Sequence, residues 1–330
     1  MKSKNEIRNA IISKIRDCAP AHINLTDYVQ GILGLSRVSV FRRLKGEISF
    51  TYEEIVILAK EMNFSVDELI YLNSKNKHLF EMNGHVEDNM ESIILKTLQL
   101  HYEELEEEKS ANQRSTIIIS NHLWFVYTLH FENLFKFYYY KFIYQWHPER
   151  IKDRMKDIEV LPEIKDIKNK VKDMRHNLSQ GVWEYIIDRY IFLNTMQEIQ
   201  YYYRRGLLDE NELTDIAMDL KQLLKYIESE IGQNKSYARR HQYYISDRKI
   251  YINSASVEND DKIYGLIFPN ELHPTICRDQ NLCTLHRHYL ETYKRQSKFI
   301  SGTNEELQIS FFEKQYAYVE DLMANKDLIN

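Results

Sequence analysis

Residues 33–47 read LGLSRVSVFRRLKGE, and this stretch constrains the fold more tightly than any other. Gly34 interrupts an apolar helical pattern, Leu35 is the apolar residue that sets the angle of a turn, and Ser36 stands where a helix N-cap belongs. Beyond it Val40 and Leu44 are four residues apart and face inward together, with Phe41 beside them. Gly46 stops the helix. The preceding residues 25–33, LTDYVQGIL, carry their own apolar stripe of Val29, Ile32 and Leu33. Two short helices joined by a glycine-containing turn predict a helix-turn-helix, with a second helix over about residues 36–45 that can enter the major groove of double-stranded DNA.

The charge pattern agrees with that use. The chain as a whole carries a net charge of -5, so an anion-binding surface has to be a local patch and not a global field. Between residues 36 and 47, Arg37, Arg42, Arg43 and Lys45 stand against the single carboxylate of Glu47. Arg37, Ser39, Arg42 and Arg43 lie off the apolar stripe and, with Ser36, are expected to contact phosphates or base edges, while Lys45 sits at the helix exit, within reach of a phosphate. Arginine forks suit guanine edges and phosphates alike. A cationic helix by itself is more often a solvated face. What favours DNA here is the set of turn, cap and stop residues around the charges.

Those residues also carry a resemblance. The run LTDYVQGILGLSRVSVFRRLKGEISFTYEEIVILAKEMNFSVDELI resembles the phage-repressor-like helix-turn-helix family of Cro/C1 or Xre type. Gly34-Leu35-Ser36, Gly46, Leu58-Ala59 and Ser65-Val66-Asp67-Glu68-Leu69 stand in the family's register over about 50 of the 330 residues. The resemblance implies a five-helix DNA-binding domain in which Thr26 opens the first helix of the motif and touches the DNA backbone. Gln30, followed by Gly31, replaces the family's usual small residue. The segments VFRRLKGE, YYISDRKIYINSASV and SKFISGTNEELQISFFEK further resemble transcriptional regulators found in Bacteroides-like bacteria.

Nine glycines and five prolines in 330 residues argue against a loop-rich all-β chain and for long helices. Residues 1–72 are expected to form the helix-turn-helix domain and the polar run NSKNKH, 73–78, a linker. Residues 79–330 are expected to form a larger, mainly helical region for oligomerisation or effector sensing. DENELTDIAMDLKQLLKYIESEIG is its plainest helix, with Leu213, Ile216, Leu220, Leu223, Ile227 and Ile231 on one stripe, Asp209 and Glu212 at its start and Gly232 at its end. MESIILKTLQLHYEELEEEK and VWEYIIDRYIFLNTMQEIQYYYRRG read as helices too. From about 241 to 269 the period changes, predicting a small antiparallel meander of three strands. The fold class expected is therefore mainly α.

Other chemistries find little support. Cys18, Cys277 and Cys283 are too few and scattered for a disulfide framework. His273, Cys277, Cys283, His286 and His288 invite zinc, but their spacings match no common site, so no metal is expected. No phosphate loop, nucleophile elbow or zincin helix occurs, so neither an enzyme nor a cofactor is expected. The aromatic run FKFYYYKFIYQW reads as core or interface before ligand pocket. Polar residues from Asn121 to Lys141 break the most apolar stretch, 115–146, so no membrane span is expected and a cytoplasmic location is. The function expected is a DNA-binding transcriptional regulator acting on double-stranded DNA as a homodimer, with an unknown small-molecule or protein effector. The alternative is a protein–protein interaction scaffold whose helix-turn-helix does not bind DNA specifically.

Overall fold

A computed structural model describes residues 4–20, 23–62, 64–66, 80–82, 89–110, 113–147, 153–177, 181–232, 241–260, 262–272, 274–302 and 304–328. The chain divides into two units, Met1–Leu79 and Phe80–Asn330. The expected linker 73–78, the fifth helix expected after Ser65, and His273 lie outside the described residues.

The first unit contains α1 (Lys4–Cys18), α2 (Leu25–Leu33), α3 (Arg37–Leu44) and α4 (Tyr52–Glu61). Each helix is too short to hold its shape in water alone, so burial of one apolar face decides its stability. Ile12, Ile15, Val29, Val40, Phe50, Leu58, Ala59, Met62 and Phe64 supply the common core, drawing on all four helices. Local polar groups fix the helix starts. The Asn24 side chain accepts from the amides of Thr26 and Asp27, Ser36 Oγ accepts from Ser39 N, and Thr51 and Glu54 cap α4 reciprocally.

The second unit holds β1 (Phe80–Met82), α5 (Met90–Ser110), β2 (Arg114–Ser120), a 3-10 turn at Phe125–His130, α6 (Glu132–Trp146), α7 (Pro162–Asn177), β3 (Val182–Asp188), α8 (Ile191–Arg204), α9 (Glu210–Gly232), β4 (His241–Ser246), β5 (Asn253–Asn259), β6 (Lys262–Phe268), β7 (Thr275–Cys277), α10 (Gln280–Arg295), β8 (Lys298–Phe299) and α11 (Glu305–Met323). The strands form one eight-stranded sheet in the order β1-β7-β6-β5-β2-β3-β4-β8. β2, β3 and β4 run parallel to one another, and the remaining pairs are antiparallel.

This sheet overturns the mainly α expectation: the fold is mixed α/β. Strands do occupy 241–268, but they are not a free-standing meander. β5 and β6 form a hairpin closed at Asp260, which adopts φ 50°, whereas β4 pairs with β3 and β8. VWEYIID, expected as the start of a helix, is the interior strand β3, between β2 and β4. STIIIS within 115–120 belongs to β2. Both runs are buried on the two faces of the sheet, where parallel strands need near-continuous apolar sequence and lose the alternation that marks a strand.

Helix α10 covers one face of the sheet, where Leu290 and Tyr293 pack on Ile117, Ile119 and Ile186. The other face carries the main core, including Ile118, Tyr185, Tyr243, Ala255 and Val257, under α5, α6, α8, α9 and α11. The aromatic run falls in α6 and is core: Phe135, Phe137, Tyr138, Tyr139, Tyr140 and Phe142 are all buried. The start of α6 has no cap of its own. Asp219, from α9, accepts from the amides of Asn133 and Leu134 at 2.7 and 2.9 Å, satisfying a buried helix N-terminus from a distant element. Lys141 is buried among these rings, with its Nζ at 2.7 Å from Glu198 and 2.6 Å from Glu271.

Candidate nucleic-acid interface

The turn between α2 and α3 depends on Gly34, which adopts φ 64° and whose amide closes back on Gln30 O at 2.9 Å. A left-handed residue at a helix C-terminus lets the chain reverse direction without lengthening the loop. No atom lies within 4 Å of the position a Cβ would take there, so only backbone strain opposes a larger residue. Gly34→Ala is accordingly expected to destabilise the first unit by about 1–2 kcal/mol, and Gly34→Asn by less, as read by urea unfolding.

At the far end of α3, Gly46 adopts φ 77°, and its carbonyl accepts a 2.6 Å hydrogen bond from Arg8 Nη1. Arg8 Nε also donates to Ser49 Oγ at 3.2 Å. Helix α1 thus clamps the exit of α3. Both ends of α3 are fixed by backbone geometry, and Val40 seats it in the core.

The residues expected to meet DNA divide into two groups. Arg37 and Arg42 are exposed on α3, and Lys45 is exposed at its C-cap. Arg37 Nε lies 3.2 Å from Asp27 and Arg42 Nε 3.2 Å from Glu47. Pairs so open to solvent contribute roughly 0–1 kcal/mol and exchange readily for a phosphate. Lys45 Nζ stands 4.7 Å above the Phe41 ring.

Ser36, Ser39, Thr26 and Arg43 serve structure in this conformation. Ser36 Oγ is the N-cap of α3, and the Thr26 amide donates to Asn24 Oδ1 at 3.0 Å. Arg43 makes a fork with Glu54, each of two N–H···O contacts at 2.9 Å, and its Nη1 donates to Ser39 Oγ at 2.6 Å. Its side chain is only 12% exposed and that of Glu54 15%. Arg43 therefore ties α3 to the capping box of α4. Arg43→Ala is expected to cost about 1–3 kcal/mol of folding stability by stranding the largely buried Glu54 carboxylate. Unchanged unfolding of the Arg43→Ala chain would contradict this role.

Two residues on the same surface escaped the sequence reading. Val38 is 70% exposed and Phe41 47% exposed, although Phe41 was expected to turn inward beside Val40. Both lie on the same side of α3 as Arg42 and Lys45 by helical spacing. The signal available was the spacing itself: Val38 is out of phase with Val40 and Leu44. Two apolar groups held in water among cations suit a surface that meets base edges, where a thymine methyl is the apolar feature.

The zinc candidates are placed as follows. Cys283 Sγ donates to Cys277 O at 3.1 Å, and His286 Nε2 lies 3.1 Å from Ser254 Oγ. Burial and the neighbouring Cys277 push the Cys283 thiol up to about 12, and burial lowers His286. Among the described residues no group of three or more His, Cys, Asp or Glu side chains is arranged to hold a metal ion. Among the same residues no helix is long and apolar enough to cross a membrane.

Comparison with known proteins adds the following. None of the curated proteins matches the chain. The solved structure of TrmBL2, an archaeal chromatin protein with a novel mode of DNA binding, aligns over 81% of this chain and 72% of that one, at 8% identity and a TM-score of 0.25, a likeness too slight to bear on the fold. Residues 9–103, which take in α2, α3 and α4, match the family model described as the BetR domain.

Proposed function

We propose that the chain is a transcriptional regulator of the Cro/C1-like helix-turn-helix kind, in which α3 lies in the major groove of double-stranded DNA. The exposed face of α3, with Arg37, Val38, Arg42 and Lys45 on a helix fixed at both ends, carries this reading. The BetR-domain match supports a DNA-binding regulator at the level of class. Arg37 and Arg42 are the base or phosphate contacts, Lys45 a phosphate contact, and Val38 an apolar contact to a base edge. Thr26, Ser36 and Ser39 approach the backbone from the helix starts. One such helix reads only a half-site, so the active species is a homodimer. No catalytic step belongs to this function.

Selection of bound duplexes from a random pool, followed by footprinting, tests it. The expected result is one enriched sequence with two inverted half-sites about one helical turn apart. Recovery of unenriched DNA contradicts the reading.

A second reading has one observation in its favour. Tyr52 and Val56, one turn apart on α4, are 71% and 40% exposed, as an apolar protein-binding face requires. If the unit is instead a protein-interaction scaffold, Tyr52→Ser with Val56→Ser abolishes complex formation in cells and leaves DNA retention unchanged.

A further inference from the structure

The second unit contains a cleft between α5 and the sheet that nothing in the DNA reading uses. One wall is the sheet face formed by Arg114, Thr116 and Ile118 of β2 with Trp183, Ala255 and Val257 on the neighbouring strands. The opposite wall is the α5 face of Thr97, Leu100, His101 and Glu104, residues that share one side of a helix. Trp124, Phe125 and Phe268 close one end, with the Trp124 and Phe268 rings 5.0 Å apart. Thr116 and Ala255 are small side chains in this wall, where larger residues would fill the space. The walls enclose about 690 Å³ including the open mouth, so the enclosed part suits one small ring.

The two ends of the cleft differ in chemistry. Aromatic rings dominate at Trp124, Phe125 and Phe268. At the other end the Arg114 guanidinium lies 5.6 Å from the Trp183 ring centre and donates to Glu104 O at 3.2 Å, while His101 Nδ1 stands 3.6 Å from Glu104. Between the ends, Thr116 is 2% exposed and its hydroxyl has no hydrogen-bond partner among the described residues. A buried hydroxyl left unsatisfied costs free energy, and a valine of the same shape would avoid that cost. Its presence in the wall of a ring-sized cleft marks a donor reserved for a ligand.

We propose that this cleft binds a single-ring aromatic compound bearing an oxygen acceptor, a carboxylate or carbonyl, with its ring among Trp124, Phe125 and Phe268 and its oxygen toward Thr116 and Arg114. The inference stands apart from DNA binding, because every residue of the cleft belongs to the second unit.

Two of the chain's three tryptophans line the cleft, so intrinsic fluorescence of the full chain reports its occupancy directly. Benzoate, benzamide and cyclohexanecarboxylate are the probes. Saturable quenching by benzoate or benzamide, at least tenfold weaker for cyclohexanecarboxylate, is expected. Preference for benzoate assigns a carboxylate, and equal binding of the two assigns a carbonyl acceptor. Thr116→Val is expected to raise or preserve the melting temperature while weakening the bound probe about tenfold. Thr97→Phe, which fills the cleft from the helix side, abolishes quenching. Absence of saturation by both aromatic probes, equal binding of cyclohexanecarboxylate, or unchanged affinity in a folded Thr116→Val chain overturns the proposal.

Discussion

Lys141→Met is expected to destabilise the second unit by about 3–5 kcal/mol, the cost of stranding a buried ionic group without its partner. Lys141 is 1% exposed and stands at hydrogen-bond distance from both Glu198 and Glu271. Its Nζ also lies 4.4 Å from the Tyr138 ring centre, which adds a cation–π contact in the same buried place. Methionine preserves most of the side-chain volume, so the loss isolates charge from packing. Two carboxylates then share a site with no cation between them. Urea unfolding of the full chain, followed by near-ultraviolet circular dichroism, measures the effect; a change below about 1 kcal/mol contradicts the assignment.

The same cluster fixes a pH dependence. Burial raises the Glu198 carboxyl above its ordinary value of 4.5, with the lowering influence of Lys141 second and the raising influence of Glu271 third. A carboxyl raised on folding binds more protons folded than unfolded. Its contribution to stability is therefore present at low pH and is lost as pH rises from the ordinary carboxylate value through the raised one. Without Lys141 the upward shift grows. The Lys141→Met penalty should thus be largest well above the raised Glu198 value and shrink as pH falls through it, where that carboxyl takes up a proton. A pH-independent penalty would place the effect in packing instead.

How much of this was legible in the sequence follows from where the determinants lie. The α2–turn–α3 unit is specified by residues within about 20 positions: Gly34 supplies the left-handed backbone, Ser36 the cap, Val40 and Leu44 the anchor. Such local rules can be read from one strand of text. β2 and β3 could not be placed in the same way, because their near-continuous apolar runs lack a period, and each is a strand only by virtue of the other. β1, β7 and β8 are two or three residues long and exist through pairing alone. Asp219 capping α6 from 85 and 86 residues away left no local mark either.

The site shows the same division. Arg37 and Arg42 are exposed, as their place off the apolar stripe implied. Arg43 shares that place on a helical wheel, yet Glu54, eleven residues on, takes its fork. The capping box of Thr51 and Glu54 holds that carboxylate near α3, and nothing in the periodicity of either helix joined the two. The cleft under α5 needed the sheet before any of its walls could be assembled.

Arg37→Ala combined with Arg42→Ala is expected to lower affinity for the selected DNA site by about 2–6 kcal/mol, roughly thirtyfold to twenty-thousandfold, since each arginine contact is worth about 1–3 kcal/mol. Folding should hardly change, because both arginines lose only solvent-exposed ion pairs. The salt dependence should flatten by about one unit of slope for each phosphate contact removed. Val38→Ala should act differently, relaxing preference at a single base position with little change in salt slope.

The decisive measurement is equilibrium binding of the selected duplex across a salt series by the wild-type chain, the Arg37→Ala/Arg42→Ala chain and the Arg43→Ala chain, each with its unfolding curve. The double variant is expected to fold as the wild type does, bind at least about thirtyfold more weakly and show a shallower salt slope, whereas Arg43→Ala loses stability first. A folded double variant with unchanged affinity and unchanged salt slope would contradict the claim that α3 reads DNA.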